Sequence, residues 1–327
     1  MLCLGIESTA HTFGAGIIDE NGKIYANVKD TYTTETGGIN PSEAKQHHLD
    51  VKDRIIEEAL TSANLKIKYI DLISFSQGPG LSPCLIVGKN KAIELAKENR
   101  KNIVGVNHCV AHLEIGKLMT KAKDPILLYA SGANTQVIAY ESGKYRVFGE
   151  TLDNGIGNFI DSFARHIGLG FPGGPKIEQL ALKSKKYVEL PYVVKGMDVS
   201  FGGMLTNLKQ KFNSGKFKID DLAFSLQETA FAMLVEVSER AMAHTSKSEL
   251  VLGGGVACNK RLQEMCSIMC KERNAKFFAP PNNVLVDNGL MIAWLGLLMR
   301  KNADKNYGNI DINPSERTDD VEVNWTQ

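Results

Sequence analysis

The sequence predicts an α/β protein made of two similar halves, and two observations carry that prediction. Strand patterns alternate with helix patterns along the chain, as in proteins that pack helices against a largely parallel sheet. A three-strand pattern near the start of the chain also returns about 125 residues later. The 327 residues suffice for about two domains at roughly 100 to 200 residues each. We therefore expect a first domain at 1–125 and a second at 126–300, with a tail at 301–327 that returns to the first.

Each element follows from its residue pattern. Residues 2–8 and 12–19 are apolar strands, and the turn Asn21-Gly22 leads into a third strand at 23–28. The first half continues with helices at 41–62, 89–99 and 108–119 and strands at 71–76 and 102–106. The second half has strands at 126–130, 135–140, 145–150, 250–253 and 276–278 and helices at 157–169, 175–184, 220–244, 259–273 and 287–299.

Two segments lack a clear pattern. Residues 183–218 are rich in lysine and tyrosine without a helical or strand period, which predicts an inserted lobe in the second domain. The tail beyond Arg300 is polar, so Val321, Val323 and Trp325 are its candidate anchors.

Composition excludes several classes of protein. With 43% hydrophobic and 23% charged residues the chain is globular rather than disordered, and no apolar run approaches the roughly 18 residues that cross a bilayer. Lysine and arginine number 38 against 37 acidic residues, so a nucleic acid would need a local basic patch or a partner protein. The six cysteines form no C-x-x-C pair and the N-terminus has no basic leader. We expect free thiols and a cytoplasmic protein without a membrane segment.

Two turns of small residues, 8–10 and 131–135, follow apolar strands at equivalent points of the repeat. Such turns offer backbone N–H groups that suit phosphate oxygens, and the two would face each other across the cleft between the domains. Glycine-rich turns at 171–175 and 253–255 also lead into helices. None of these turns matches the usual nucleotide-binding motifs, so each could instead be an ordinary chain reversal.

His108 and His112 are four residues apart at the start of a predicted helix, so both imidazoles can reach one metal ion. Asp287 is a candidate third ligand, although an N-cap role for its carboxylate is an equal alternative. Cys109 stands where the H-E-x-x-H motif of metallopeptidases needs glutamate, which disfavours peptidase chemistry. His47 and His48 are adjacent in sequence, so their side chains point in different directions, and both are expected at the surface.

With these residues assembled, the chain resembles the tRNA threonylcarbamoyladenosine synthase catalytic-subunit family along nearly its whole length. Its members were once described as sialoglycoprotein endopeptidases. The matching segments are GIESTAHT at 5–12, SFSQGPGLSPCL at 74–85, GVNHCVAHLE at 105–114, LYASGANTQV at 128–137, GETLDNGIGNFIDSFAR at 149–165, GFPGGPKIE at 170–178, KGMDVSF at 195–201, LGGGVACNKRL at 252–262 and DNGLMIAW at 287–294. The forms at 7–12 and 149–154 resemble the archaeal and eukaryotic branch, and Ala133 departs from the family's glycine.

This resemblance implies a duplicated actin-like, sugar-kinase-like fold of the ASKHA and ribonuclease-H-like type, with a metal and a nucleotide in a central cleft. His108, His112 and Asp287 match the family's metal ligands, and Tyr129 is implied both at the metal and beside the nucleotide phosphates. The other matching site residues are Ser131, Asn134 and Thr135 on the phosphate side, Asp161, Gly174 and Glu178 at the ribose and adenine, and Asn259 as a further nucleotide contact. Two imidazoles and a carboxylate suit iron, zinc, manganese or nickel, and iron or zinc is the expected cofactor.

The implied reaction moves a threonylcarbamoyl group from threonylcarbamoyl-adenylate to the exocyclic amine of the adenosine beside the anticodon in tRNAs that read ANN codons, and it releases AMP. The implied partners are tRNA, an atypical small kinase or ATPase and small dimerisation subunits of a KEOPS-type complex. No residue is assigned as acid or base. Two alternatives stay open for such a fold, namely an ATP-hydrolysing scaffold and a phosphotransferase. A phosphotransferase would hold Mg²⁺ through oxygen atoms, and the histidine pair disfavours it.

Overall fold

Two five-stranded sheets, one in each half of the chain, form the frame of the molecule. The computed structural model describes residues 1–35 and 37–325. The first half contains β1 (Leu2–Glu7), β2 (Thr12–Asp19), β3 (Ile24–Thr31), α1 (Pro41–Ser62), β4 (Leu72–Gly78), α2 (Ser82–Asn99), β5 (Asn102–Asn107) and α3 (His108–Thr120). Its strands are ordered β3-β2-β1-β4-β5, with β1 antiparallel to β2 and parallel to β4.

The second half repeats this arrangement. It contains β6 (Ile126–Ala130), β7 (Thr135–Glu141), β8 (Lys144–Glu150), α4 (Ile156–His166), α5 (Gly174–Ala181), β9 (Val194–Lys195), β10 (Asp198–Val199), α6 (Gly202–Asn213), α7 (Ile219–Thr245), β11 (Glu249–Gly253), α8 (Lys260–Glu272), β12 (Lys276–Phe278), α9 (Asn282–Leu285) and α10 (Gly289–Leu298). The sheet order is β12-β11-β6-β7-β8, with β6 antiparallel to β7 and parallel to β11. β6 therefore takes the place of β1, and the predicted duplication is confirmed.

Several helices differ from the sequence prediction. α2 begins at Ser82 rather than at 89, because Pro83 lies in the first turn of the helix, where proline is tolerated. The segment 183–218 contains α6, which the sequence did not predict, and its Met204 and Leu208 belong to the main hydrophobic cluster of the second half. The division into domains and an inserted lobe stays a prediction.

His48 on α1 lies inside the protein and His47 is half-buried, so the expectation of surface residues is wrong for His48. His48 is fully buried, with its ring edge on to Phe13. His47 bonds to Asp30 of β3 at 2.8 Å. Burial, with the neighbouring histidines His47 and His11, lowers the pKa of His48 to about 3. The pair therefore joins α1 to the first sheet.

One hydrophobic cluster belongs to both halves. It brings Leu72 and Val104 of the first sheet together with Leu127 and Val251 of the second, around the apolar helix α10. α10 packs against β1, β2, β4 and α3, although it follows the second half in the chain. It contains no charged residue, because nearly all of its surface is buried. The packing of α10 thus places the residues just before it between the two sheets.

The tail crosses from one half to the other. Asp304 pairs with Ile103 at the edge of the first sheet, and the N–H of Asn313 donates to the carbonyl of Gln77. Three apolar residues, Val321, Val323 and Trp325, pack on the shared cluster, as the sequence suggested. All six cysteines are free thiols. Among the described residues no helix has the length and apolar character needed to cross a membrane.

Candidate functional site

A cavity of about 880 Å³ lies between the two halves. Nine of the site residues predicted from the sequence line it, namely His108, Tyr129, Ser131, Asn134, Asp161, Gly174, Glu178, Asn259 and Asp287. His112 lies behind His108 and is buried. Thr135 is buried too, and its hydroxyl accepts the N–H of Ile156 at 2.7 Å. Thr135 therefore holds the start of α4 and is not among the residues that line this cavity.

Two imidazoles and a carboxylate converge at one end of the cavity. The Nε2 atoms of His108 and His112 lie 3.4 and 3.3 Å from Oδ1 of Asp287. The hydroxyl of Tyr129 lies 3.0 Å from Nε2 of His108. Within the described chain, His108, His112 and Asp287 are the only group of three His, Cys, Asp or Glu residues close enough together to hold a metal ion.

Two helix starts position this group. Asn107 caps α3 by accepting the N–H groups of Cys109 and Val110, so the two histidines face the same way one turn apart. Asn288 caps α10 by accepting the N–H of Met291, which leaves Asp287 outside the helix. The alternative of an N-cap role for Asp287 is therefore excluded, and its carboxylate is available to the histidines.

The donor set fits a metal ion. An ion with tetrahedral bonds of about 2.1 Å has ligand atoms about 3.4 Å apart, close to the 3.3 and 3.4 Å that separate Oδ1 of Asp287 from the two Nε2 atoms. All three ligand atoms lie within 4.8 Å of one another. Two imidazoles with one carboxylate are ligands that suit transition metals rather than Mg²⁺. The cluster can therefore hold a transition-metal ion.

The charges of the cluster favour a cation at this point. Burial opposes protonation of His108, but Glu7 and Asp287 together raise its pKa well above the usual value. Burial likewise opposes ionisation of Asp287, yet His108 and His112 hold the pKa of this carboxyl well below its usual range. Burial lowers the pKa of His112. Two carboxylates beside one imidazole thus stabilise positive charge, which a proton or a metal ion can supply.

Glu7 is a site residue that the sequence analysis did not single out. It ends β1, is fully buried, and its Oε2 lies 2.9 Å from Nδ1 of His108. Its Oε1 accepts the N–H of Thr9 at 2.7 Å. The N–H of Ser8 donates to Ser76, so the expectation of free N–H groups in the turn at 8–10 is wrong for both Ser8 and Thr9. An acidic residue within an apolar strand was the signal that could have identified Glu7.

The turn between β6 and β7 keeps the expected open N–H groups. Within this turn, the N–H of Ser131 donates to the carbonyl of Asn134 at 3.0 Å, and the carbonyl of Ser131 accepts the N–H of Gly157. A Cβ at Gly157 would lie 2.7 Å from Cα of Gly132, so α4 can begin directly against the turn. In the part of the chain that the structure describes, the N–H groups of Gly132, Ala133 and Asn134 make no hydrogen bond. They remain available to an anion.

Three polar side chains line the opposite part of the cavity. Oδ1 of Asp161 accepts the N–H of Gly173 at 2.7 Å, and burial raises the pKa of this carboxyl. Oε1 of Glu178 accepts the N–H of Lys260 at 2.9 Å. Asn259 caps α8 through its side-chain oxygen. Each of these groups also supports the local backbone.

Lys29 is a second residue that the sequence gave no reason to select. It lies on β3 and lines the cavity, where its ammonium group donates to the carbonyl oxygen of Asp287 at 3.4 Å. Burial lowers its pKa, while Asp287 opposes that effect. A lysine within one strand among 38 basic residues carries no sequence signal of its own.

Comparison with known proteins agrees with this geometry. The family model for tRNA N6-adenosine threonylcarbamoyltransferase matches residues 23–294. The chain belongs to this family. A threonylcarbamoyltransferase of Thermococcus kodakarensis is 57% identical over 326 residues, covering 99% of this chain and 100% of the relative. One of Archaeoglobus fulgidus is 52% identical over 330 residues, with 99% and 100% covered.

A third threonylcarbamoyltransferase-family relative is longer. The Methanocaldococcus jannaschii protein is named a probable bifunctional tRNA threonylcarbamoyladenosine biosynthesis protein. It is 52% identical over 326 residues, which cover 99% of this chain and 60% of the relative.

Solved structures confirm the fold of this threonylcarbamoyltransferase-family chain. HypF of T. kodakarensis has a TM-score of 0.64 at 16% identity, with 92% of this chain and 48% of HypF covered. A ROK-family glucokinase from Streptomyces griseus has a TM-score of 0.52 at 12% identity, with 90% and 99% covered. The predicted actin-like, sugar-kinase-like fold is therefore confirmed.

Proposed function

We propose that the chain transfers a threonylcarbamoyl group from threonylcarbamoyl-adenylate to the exocyclic amine of the adenosine beside the anticodon in tRNAs that read ANN codons, releasing AMP. Relatives that match nearly the whole chain carry the name tRNA N6-adenosine threonylcarbamoyltransferase. The observation that carries the proposal is a single cleft with a metal-ligating group at one end and open N–H groups beside it. An acyl group and its phosphate leaving group need these two features side by side.

His108, His112 and Asp287 would hold one divalent ion, with the hydroxyl of Tyr129 at the same point. We propose iron or zinc, since these metals accept imidazole ligands. When bound, the ion supplies Lewis-acid polarisation of a carbonyl or carboxylate oxygen. Burial raises the pKa of Tyr129 well above its usual value, so in the metal-free protein its hydroxyl is protonated and can donate a hydrogen bond.

The adenylate would lie along the cavity with its phosphate at the turn of Ser131 and Asn134. Thr135 holds the start of α4, because its hydroxyl accepts the N–H of Ile156. At the other end of the cavity are the proposed ribose and adenine contacts Asp161, Gly174, Glu178 and Asn259. The related glucokinase fold was solved in complex with AMPPNP, which supports a nucleotide in this fold.

The residues of the chain would act mainly by binding and orientation. An adenine amine is a weak nucleophile, so holding it against the acyl carbon supplies much of the rate. The open N–H groups at 132–134 would stabilise the phosphate charge of departing AMP. An ATP-hydrolysing scaffold or a phosphotransferase would not need the two imidazoles as metal ligands, because such proteins hold Mg²⁺ through oxygen atoms.

We also propose that the protein works in the cytoplasm within a KEOPS-type complex, with an atypical small kinase or ATPase, small dimerisation subunits and tRNA. The near-neutral charge of +1 supports joint binding of tRNA with partners rather than binding by this chain alone. The M. jannaschii relative is named bifunctional and extends well beyond the matching region, which supports a second activity acting beside this one.

The proposal is tested by supplying purified protein and its partners with threonylcarbamoyl-adenylate and unmodified tRNA. Mass spectrometry of the digested tRNA should detect the threonylcarbamoyl nucleoside, with AMP released in equal amount. The double variant His108→Ala/His112→Ala should lose both the product and the bound metal while still assembling with the partners. Modification that survives in a double variant free of metal would contradict the proposed role of the cluster.

A further inference from the structure

Glu7 makes three hydrogen bonds from a fully buried position at the end of β1. Its Oε1 accepts both the N–H and the hydroxyl of Thr9. Its Oε2 lies 2.9 Å from Nδ1 of His108. Both oxygens therefore have fixed partners, and each partner lies on an element that lines the cavity.

A carboxylate can only accept hydrogen bonds, so the ring proton that faces Glu7 belongs on Nδ1 of His108. When a metal ion takes the place of a proton on Nε2, this atom presents its lone pair to the side where Asp287 and Tyr129 lie, 3.4 and 3.0 Å away. His112 differs, since its buried Nδ1 has no partner in the described part of the chain. Both imidazoles thus approach Asp287 through Nε2, but among the described residues only His108 has a hydrogen-bond partner on Nδ1.

We propose that Glu7 is a positioning residue that fixes the tautomer and orientation of His108 and thereby strengthens metal binding. The inference rests on the metal site of the proposed function. A carboxylate on the far nitrogen also makes the imidazole a stronger electron donor to a bound ion. Glu7 itself does not face the metal position, because His108 stands between them.

The geometry around Thr9 makes Glu7→Gln a sharp test. The N–H of Thr9 needs an acceptor, so the amide oxygen of glutamine takes the place of Oε1. The amide NH₂ then faces Nδ1 of His108 and donates to it, which moves the ring proton to Nε2. The variant keeps the size of the side chain but blocks the nitrogen that would bind metal.

The probe is Zn²⁺ alone, titrated against a chromophoric chelator with the full-length metal-free protein. Glu7→Gln should bind Zn²⁺ about tenfold to a hundredfold more weakly. Glu114→Gln is the matched control, because Glu114 is also buried and lies on α3 with the histidines, but its partners are Tyr145, Trp325 and Lys117. This control should bind Zn²⁺ like the wild type.

Nitrogen-15 NMR of the histidine rings adds a readout that needs no variant. In the zinc-loaded wild type, His108 should carry its proton on Nδ1 and the metal on Nε2. Zinc on Nδ1 of His108 would overturn the inference even if Glu7→Gln did not fold. In metal-free Glu7→Gln, the proton should appear on Nε2, and a proton retained on Nδ1 alone would also overturn it.

The double variant His108→Ala/His112→Ala separates the role of Glu7 from the proposed metal site on which it rests. Stoichiometric zinc in that variant would overturn the metal site and the role of Glu7 together. Loss of zinc there, with unchanged zinc affinity in Glu7→Gln, would overturn only the role of Glu7. Neither result depends on transferase activity.

Discussion

At the residue scale, several side chains of the cleft support the backbone and face the cavity at once. Glu178 uses Oε1 to accept the N–H of Lys260, and Asn259 caps α8. Both residues line the cavity, and the amide nitrogen of Asn259 donates to Oε1 of Gln227 at 2.6 Å. A change at either position therefore alters folding as well as binding, and the two effects need separate measurement.

Glu178→Ala should weaken AMP binding about tenfold to a hundredfold, because charge-assisted hydrogen bonds to ribose hydroxyls contribute about 1.5–3 kcal/mol. Calorimetric titration with AMP and with its 2′,3′-dideoxy analogue checks this, since the analogue lacks the partners and should be affected far less. Glu178→Gln keeps an oxygen for the N–H of Lys260 and serves as the stability control. Equal losses for both ligands would show that Glu178 supports the backbone and does not contact the ribose.

Glu316 gives a prediction about pH. Burial, with Asp320, raises its pKa from 4.5 to about 7, although the bond from Asn107 favours the ionised form. Between these two values the folded protein keeps a proton that the unfolded chain has lost. The contribution of Glu316 to stability therefore falls as the pH rises through this range.

Glu316→Gln removes this titration. Relative to the wild type, its free energy of unfolding should rise by about 1–3 kcal/mol between about pH 4.5 and pH 8. Urea unfolding of both proteins at several pH values measures the difference. A constant difference across the range would mean that the carboxyl of Glu316 titrates normally in the folded state.

The residues of the site differ in how far the sequence reveals them. His108 and His112 were predictable because helical spacing brings residues four apart to one face. Glu7 carried a signal too, as an acidic residue in an apolar strand, but Lys29 did not, since its role depends on which elements meet in the cleft. The turn at 8–10 was misjudged because the side chains of Glu7 and Ser76 take its N–H groups.

At the element scale, the contact of α10 with the first sheet sets the place of Asp287. A Cβ at Gly16 of β2 would lie 2.2 Å from the backbone nitrogen of Leu290. The strand and the helix therefore touch through their backbones, and Asp287 lies two residues before the helix start. The position of this ligand thus depends on glycine at the point of contact.

Gly16→Ala should lower the free energy of unfolding by about 1–3 kcal/mol or more, because the backbone atoms that it meets cannot move aside cheaply. It should also weaken zinc binding, since α10 must shift. Gly203→Ala is the control, because a Cβ there meets nothing within 4 Å and its site is in helix α6. Denaturant unfolding and zinc titration of both variants test this, and an unchanged Gly16→Ala protein would contradict it.

Helix α6 escaped prediction because its sequence lacks the pattern of a core helix. α6 begins with two glycines and its twelve residues contain few apolar side chains, so its sequence does not resemble a core helix. It forms because Met204 and Leu208, one turn apart, are buried in the core of the second half. Tertiary packing, which the sequence pattern does not display, decides such helices.

At the scale of the whole molecule, the duplication was predictable and the sharing of parts was not. The repeated strand pattern predicted two similar halves, and the two sheets have the same topology. The sequence indicated that the tail returns to the first domain, but nothing in the pattern showed that α10 packs on the first sheet or that the tail joins a cluster of both halves. These contacts join distant parts of the chain, and they decide whether the two halves unfold together.

Because one hydrophobic cluster contains residues of both sheets, we expect the halves to unfold together. Near-ultraviolet and far-ultraviolet circular dichroism should follow a single transition in urea. Leu290→Ala, in the shared helix, should move that whole transition to lower urea, by about 2–5 kcal/mol in unfolding free energy. Two separate transitions, only one of which moves in Leu290→Ala, would show that each half is stable without the other and that the shared cluster contributes little.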